Sequence, residues 1–167
     1  MKYSEARPKI KSGDVLAWTY KKWGTWYDFQ VQMVRCFTQS EYTHVGVAKV
    51  EDDGRVYVLE SVNSGIRKYP LSEDIPFFWL PVDVKWNLSV EEVAMSKMGQ
   101  PYSKWDGIVS LFHKIKPGYD NRWECAEYVS FILQSAGITI DCRNVPSSVV
   151  EWLQYNLDAH IIMVTRD

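Results

Sequence analysis

Apolar and polar positions divide the chain into short segments of two periods. Ser12-Gly13-Asp14 introduces DVLAWTY, an apolar run that predicts a strand. In GTWYDFQVQMVRCFTQ, positions Trp26, Phe29, Gln30, Met33, Val34 and Phe37 recur at helical spacing. THVGVAKV and RVYVLESV then read as two strands around Asp52-Asp53-Gly54, a three-residue hairpin loop with glycine in the left-handed position. FFWLPVDV predicts a strand whose prolines mark an edge or a strand end. Ser89 with Glu92 forms a capping box that opens the helix VEEVAMSKM, and Gly99 and Pro101 close it.

SKWDGIVSLFHKI is a second short helix candidate. NRWECAEYVSFILQSAG follows, with Cys125, Val129, Ile132 and Ala136 at steps of four, three and four, one face of a helix. Asn121 with Glu124 resembles a capping box at its start, and Gly137 suits its end. Pro146-Ser147-Ser148 starts a helix through VVEWLQYN, and AHIIMVTR is a last strand. Strands and helices are segregated rather than strictly alternating, which predicts an α+β fold with a mainly antiparallel sheet packed on helices. The 167 residues suit a single domain, with residues 1–11 as a polar N-terminal segment and the domain proper at about 12–167.

A net charge of −2 without a basic tract argues against nucleic-acid binding. The N-terminus lacks the apolar stretch of a signal peptide, and no segment is long enough to span a bilayer. The expectation is a cytoplasmic protein without an integral membrane segment, delivery elsewhere requiring another route. Cys36, Cys125 and Cys142 are odd in number and form no Cys-x-x-Cys pair, so neither a disulfide framework nor a zinc site is expected.

Two readings of Cys125 are open. A free cysteine on an apolar helix stripe is ordinarily a small buried hydrophobe. A thiol at a helix N-terminus can equally be a nucleophile, its thiolate stabilised by unpaired N–H groups and the helix dipole. The hairpin supplies possible partners. If Asp52-Asp53-Gly54 is the loop, Glu51 pairs with Arg55, and His44 falls opposite Val62 and diagonal to Glu60 on one face. A loop one residue longer or shorter separates the two onto opposite faces. The plain alternative is a polar pair on a solvated strand face. Small neighbours at Gly46 and Ala48 leave room beside His44 on that face for a helix N-terminus to dock. Cysteine catalysis needs a base and a group that orients the base, and Cys125, His44 and Glu60 supply one candidate for each role. His113 and His160 read as surface or structural residues.

SGDVLAW, THVGVA, YVLES followed by Gly65-Ile66, GQPYSKWDG, ECAEYV, a Gly-Ile and a Pro-Ser occur in that order from about Ser12 to the end. This series resembles the circularly permuted NlpC/P60 (YiiX-like) family of papain-fold cysteine hydrolases. The resemblance implies Cys125 as nucleophile, His44 as base, Glu60 as orienting residue, and Tyr102 as a tyrosine near the nucleophile that contacts substrate; a packed aromatic is the alternative for Tyr102. Glu124-Cys125-Ala126 departs from the Asp-Cys-Ser of the unpermuted family. The implied activity is cleavage of an amide bond in a peptidoglycan-type peptide, with no metal or organic cofactor. An acyltransferase or thioesterase acting on lipid-like acyl groups with the same triad is the second expectation. A non-catalytic binding or structural module that keeps the fold is the third.

Overall fold

The computed structural model describes residues 1–19, 41–101 and 123–167. The helix expected over residues 26–37, the one over 103–115, Cys36, Tyr102, His113 and Asn121 lie outside these. The described elements are α1 (Tyr3–Ala6), β1 (Val15–Trp18), β2 (His44–Val50), β3 (Val56–Val62), β4 (Gly65–Pro70), β5 (Phe77–Leu80), α2 (Leu88–Met95), α3 (Cys125–Ser135), α4 (Pro146–Leu157) and β6 (Ile162–Val164). The six strands form one sheet in the order β4-β3-β2-β1-β5-β6, and every neighbouring pair is antiparallel. The class is α+β, as the segregated pattern predicts.

The sheet is buried on both faces. Val15, Ala17, Val45, Val47, Leu59 and Leu80 meet α2, α3 and α4 on one side. Leu16, Trp18, Ala48, Val58, Phe77 and Trp79 form a second core on the other side, with Ala6 and Ile10 inside it. Residues 1–11, set apart in the sequence as polar, therefore contribute to the fold through two apolar side chains four residues apart. Asp14 anchors the start of β1: its carboxylate accepts hydrogen bonds from Trp79 Nε1 at 2.8 Å, Lys11 N at 2.8 Å and Val82 N at 3.0 Å. Burial raises its pKa against the pull of those donors.

The hairpin forms in the register expected from its loop. Val50 pairs with Val56 and Val47 with Leu59, Glu51 N donates to Arg55 O at 2.9 Å, and Gly54 takes φ 77. The run at 65–70, not assigned in the sequence, is β4, which pairs with β3 from Val62–Gly65 to Tyr57–Pro70. β5 is an inner strand that stops before Pro81, so the proline marks a strand end rather than an edge. α2 begins two residues earlier than expected. Asn87, not Ser89, is its N-cap, and the Asn87 side chain accepts from Val90 N at 3.0 Å. It ends at Met95, and Gly99 lies beyond it in a turn.

One glycine is set by space alone. A Cβ on Gly46 would lie 2.5 Å from Val58 Cγ2 and 3.0 Å from the Leu59 carbonyl oxygen, both inside a filled core. Gly46→Ala should therefore destabilise the protein by about 1–3 kcal/mol. Urea unfolding of the two proteins measures this, and an unchanged midpoint would show that β2 and β3 move apart freely.

Candidate active site

α3 places Cys125. Glu124 is the N-cap and Cys125 the first helical residue, with Glu127 completing a capping box. The helix start is therefore closer to the thiol than an Asn121 cap would put it, and Cys125 sits among the N–H groups that lack an intrahelical acceptor. The far end closes in a Schellman motif: Ile138 N donates to Leu133 O and Gly137 N to Gln134 O, with Gly137 at φ 90. Val129, Ile132 and Leu133 bury the helix against β2 and β3. The apolar stripe in the sequence is thus the sheet-facing side.

Three hydrogen bonds set the approach of this helix to the sheet. Ser61, next to Glu60 on β3, donates its hydroxyl to Trp123 O at 2.7 Å, two residues before the cysteine. Trp123 N donates to Pro101 O at 3.1 Å, and Trp123 Nε1 donates to Gln100 Oε1. Ile66 N in turn donates to Gln100 O at 2.9 Å. The segment before the thiol is thus clamped to β3 and, through residues 100 and 101, to β4.

The helix does not dock where the small residues suggested. Gly46 and Ala48 face the second core and are filled there by Val58, whereas α3 lies against Val45 and Val47 on the opposite face. The β2–β3 ladder stops at Val47–Leu59, and His44 lies beyond its end. Beyond that point residues 44–46 pair with β1 and residues 60–62 with β4. His44 and Glu60 thus stand at the parting of the two strands, at the first residue of β2.

His44 Nε2 lies 2.6 Å from Glu60 Oε2, and Cys125 acts on the same imidazole, favouring its protonated form. With Nε2 taken by the carboxylate, Nδ1 is the ring nitrogen left for sulfur. Trp18 packs its ring against the imidazole, centroids 5.4 Å apart, and is itself held by a bond from Nε1 to Asp74 O at 2.9 Å. Tyr42, two residues before His44, donates its backbone N–H to Ser147 Oγ at 3.1 Å, which ties the entry of β2 to the first turn of α4.

Glu60 is 1% exposed, so the pair does not lie on a solvated strand face. Its other oxygen, Oε1, accepts from Arg67 Nε at 2.8 Å and lies 2.7 Å from Arg67 Nη2. Burial works against the carboxylate, but the hydrogen bonds and charges of His44 and Arg67 outweigh it and lower the Glu60 pKa. Burial would likewise lower the imidazole pKa. The bonds to Cys125 and Glu60 and the attraction of their charges carry it up to about 9. Arg67 is the residue that sequence reasoning missed. The signal was Asn63-Ser64 after a strand: read as a two-residue hairpin loop, it pairs Val62 with Gly65 and places Arg67 directly across from Glu60.

The structure thus brings together Cys125, His44 and Glu60. His160 is exposed and outside the site. Cys142 lines a surface depression with Trp152 and Tyr155 that includes none of the three. Among the described residues, no group of three or more His, Cys, Asp or Glu side chains is placed to hold a metal ion, and no helix is long and apolar enough to cross a membrane.

A histidine whose folded pKa exceeds its ordinary value of 6.5 binds its proton more tightly in the native state. Its stabilising contribution is complete below pH 6.5 and is lost as pH rises through about 9. Between those values, wild-type unfolding free energy should fall more steeply with pH than that of His44→Gln. Parallel pH dependences in chemical denaturation would show that the imidazole is not preferentially charged in the native state.

Comparison of the chain with protein-family models and with curated proteins finds no match, so the reading of this site stands on its geometry.

Proposed function

We propose that the protein is a cysteine hydrolase of amide bonds, with Cys125 as nucleophile, His44 as base and acid, and Glu60 as the residue that orients His44. The observation that supports this best is an imidazole held by a buried carboxylate at 2.6 Å and acted on by a thiol on the first residue of a helix. The sequence resemblance to permuted NlpC/P60 proteins names the same three residues in the same roles and points to peptidoglycan-type peptides as substrates.

In this reading His44 holds the thiol proton, leaving a thiolate beside an imidazolium. Sulfur attacks the substrate carbonyl carbon, and the oxyanion rests against N–H groups at the start of α3. The C–N bond breaks as Nδ1–H protonates the departing amine. Water then attacks the thioester while His44 takes up one of its protons. The acid product leaves, and the thiolate and imidazolium are restored. Glu124 in place of the family's aspartate leaves this route intact, because backbone N–H groups carry the oxyanion.

Thiol reactivity tests the assignment. Cys142 is held as a thiol, its pKa pushed up to about 11 by burial and by the carboxylates of Asp141 and Glu151. With limiting iodoacetamide at pH 6, peptide mass spectrometry should find Cys125 labelled before Cys142 and Cys36, and His44→Ala should slow that labelling by at least tenfold. First labelling of Cys142 or Cys36 in the folded protein would remove Cys125 as the nucleophile. Cleavage is read separately, as release of a new amine from a peptidoglycan stem peptide, which Cys125→Ser should abolish.

A further inference from the structure

We propose that Arg67 is a positioning residue for the triad: by gripping one oxygen of buried Glu60, it holds the other on His44 Nε2 and so fixes Nδ1 as the nitrogen that exchanges a proton with Cys125. The proposal rests on the triad reading above. Arg67 and Glu60 are register partners on β4 and β3. Two N–H groups of the guanidinium converge on Oε1, at 2.8 and 2.7 Å, while Oε2 is left to His44 at 2.6 Å. The two oxygens are thus divided between two cationic partners, and the carboxylate cannot turn without losing one. Tyr69, two residues along β4, lies under the guanidinium with 4.2 Å from its ring centroid to Cζ. That stacking holds the plane of the fork. The Arg67 side chain is 41% exposed while that of Glu60 is 2% exposed, so water solvates the outer edge of the cation and Glu60 receives the inner one.

The chemical consequence concerns which proton leaves the imidazolium. His44 can lose Nδ1–H to the departing amine, which keeps Nε2–H on an ionised Glu60. Alternatively it can lose Nε2–H to Glu60, which yields a neutral acid and an imidazole whose N–H faces sulfur. The second product cannot accept the next proton from the thiol or from water at Nδ1. A buried carboxylate favours it, because burial penalises the charged form. A guanidinium fixed on Oε1 opposes it, since Arg retains its proton in proteins and has no acceptor. Arg67 therefore acts on catalysis through Glu60 and touches neither sulfur nor substrate.

The test is the pH profile of Cys125 alkylation by iodoacetamide, measured with melting temperature in wild type, Arg67→Met, Arg67→Lys, His44→Ala and the Arg67→Met/His44→Ala double variant. Arg67→Met should move the midpoint of the profile up by about one unit and slow alkylation at pH 6 by about tenfold. Arg67→Lys, which keeps the charge but not the two-pronged grip, should shift it in the same direction by less. In the His44→Ala background, Arg67→Met should add nothing. A lower melting temperature with an unmoved midpoint in Arg67→Met would overturn the proposal and leave Arg67 a structural residue. If Arg67→Met does not fold, an unmoved midpoint in Arg67→Lys overturns it. A His44→Ala profile identical to wild type would instead sink the triad itself, a result distinguishable from failure of the Arg67 role alone.

Discussion

A carboxylate removed from water needs its charge met at once, and Glu60 is where this molecule meets that requirement. Leaving both partners out would strand a buried charge, at a cost of several kcal/mol for such groups. That constraint makes β3 the organising strand. Glu60 looks to the second core, with β4 supplying Arg67 and β2 supplying His44. Its neighbour Ser61 reaches to the helix face and holds the Trp123 carbonyl. Two consecutive residues, pointing to opposite faces as strand residues do, thus fix His44 and the approach of the helix that carries Cys125.

The site also lies at an interruption. The β2–β3 ladder ends at Val47–Leu59, and His44 meets Glu60 just beyond its last pair. On their outer edges residues 44–46 stay paired with β1 and residues 60–62 with β4, so each strand remains held in the sheet at the parting. The motifs that carry the family resemblance acquire physical roles around it. Asp14 gathers three N–H donors at the start of β1. Gln100 links β4 to the indole before the thiol, and Ser147 holds the chain entering β2.

How much of this was legible follows from the range of each interaction. The hairpin register could be counted from Asp52-Asp53-Gly54, because a glycine-closed turn fixes pairing locally, and the His44–Glu60 pair followed from it. The Cys125 stripe was legible because 3.6-residue periodicity is local too. Arg67 was not, since GIRKYP has no clean alternation and its partner is named only once β4 is paired. The docking face of α3 was misread for a related reason. Small residues at Gly46 and Ala48 look like space in one dimension, but Val58 from the next strand fills it. The Asn87 cap and the burial of Ala6 and Ile10 depend on contacts or competing caps that spacing alone does not rank.

The arrangement of both sheet margins bears on how the molecule behaves among copies of itself. An outer strand with free N–H and C=O groups invites another chain to pair with it. At β6, Met1 N donates to Met163 O, Thr165 N to Met1 O and Tyr3 N to Thr165 O, so the first residues run along that margin as a partial extra strand. At β4, Ile66 both donates to Gln100 O and accepts from Gly99 N, and a Cβ on Gly65 would lie 2.6 Å from that same carbonyl. The other end of β4 is Pro70, which has no N–H to offer. A foreign strand therefore finds β6 already lined and β4 blocked at both ends. The same Gly99–Pro101 segment that steadies the approach to the thiol shields the sheet from edge-to-edge aggregation.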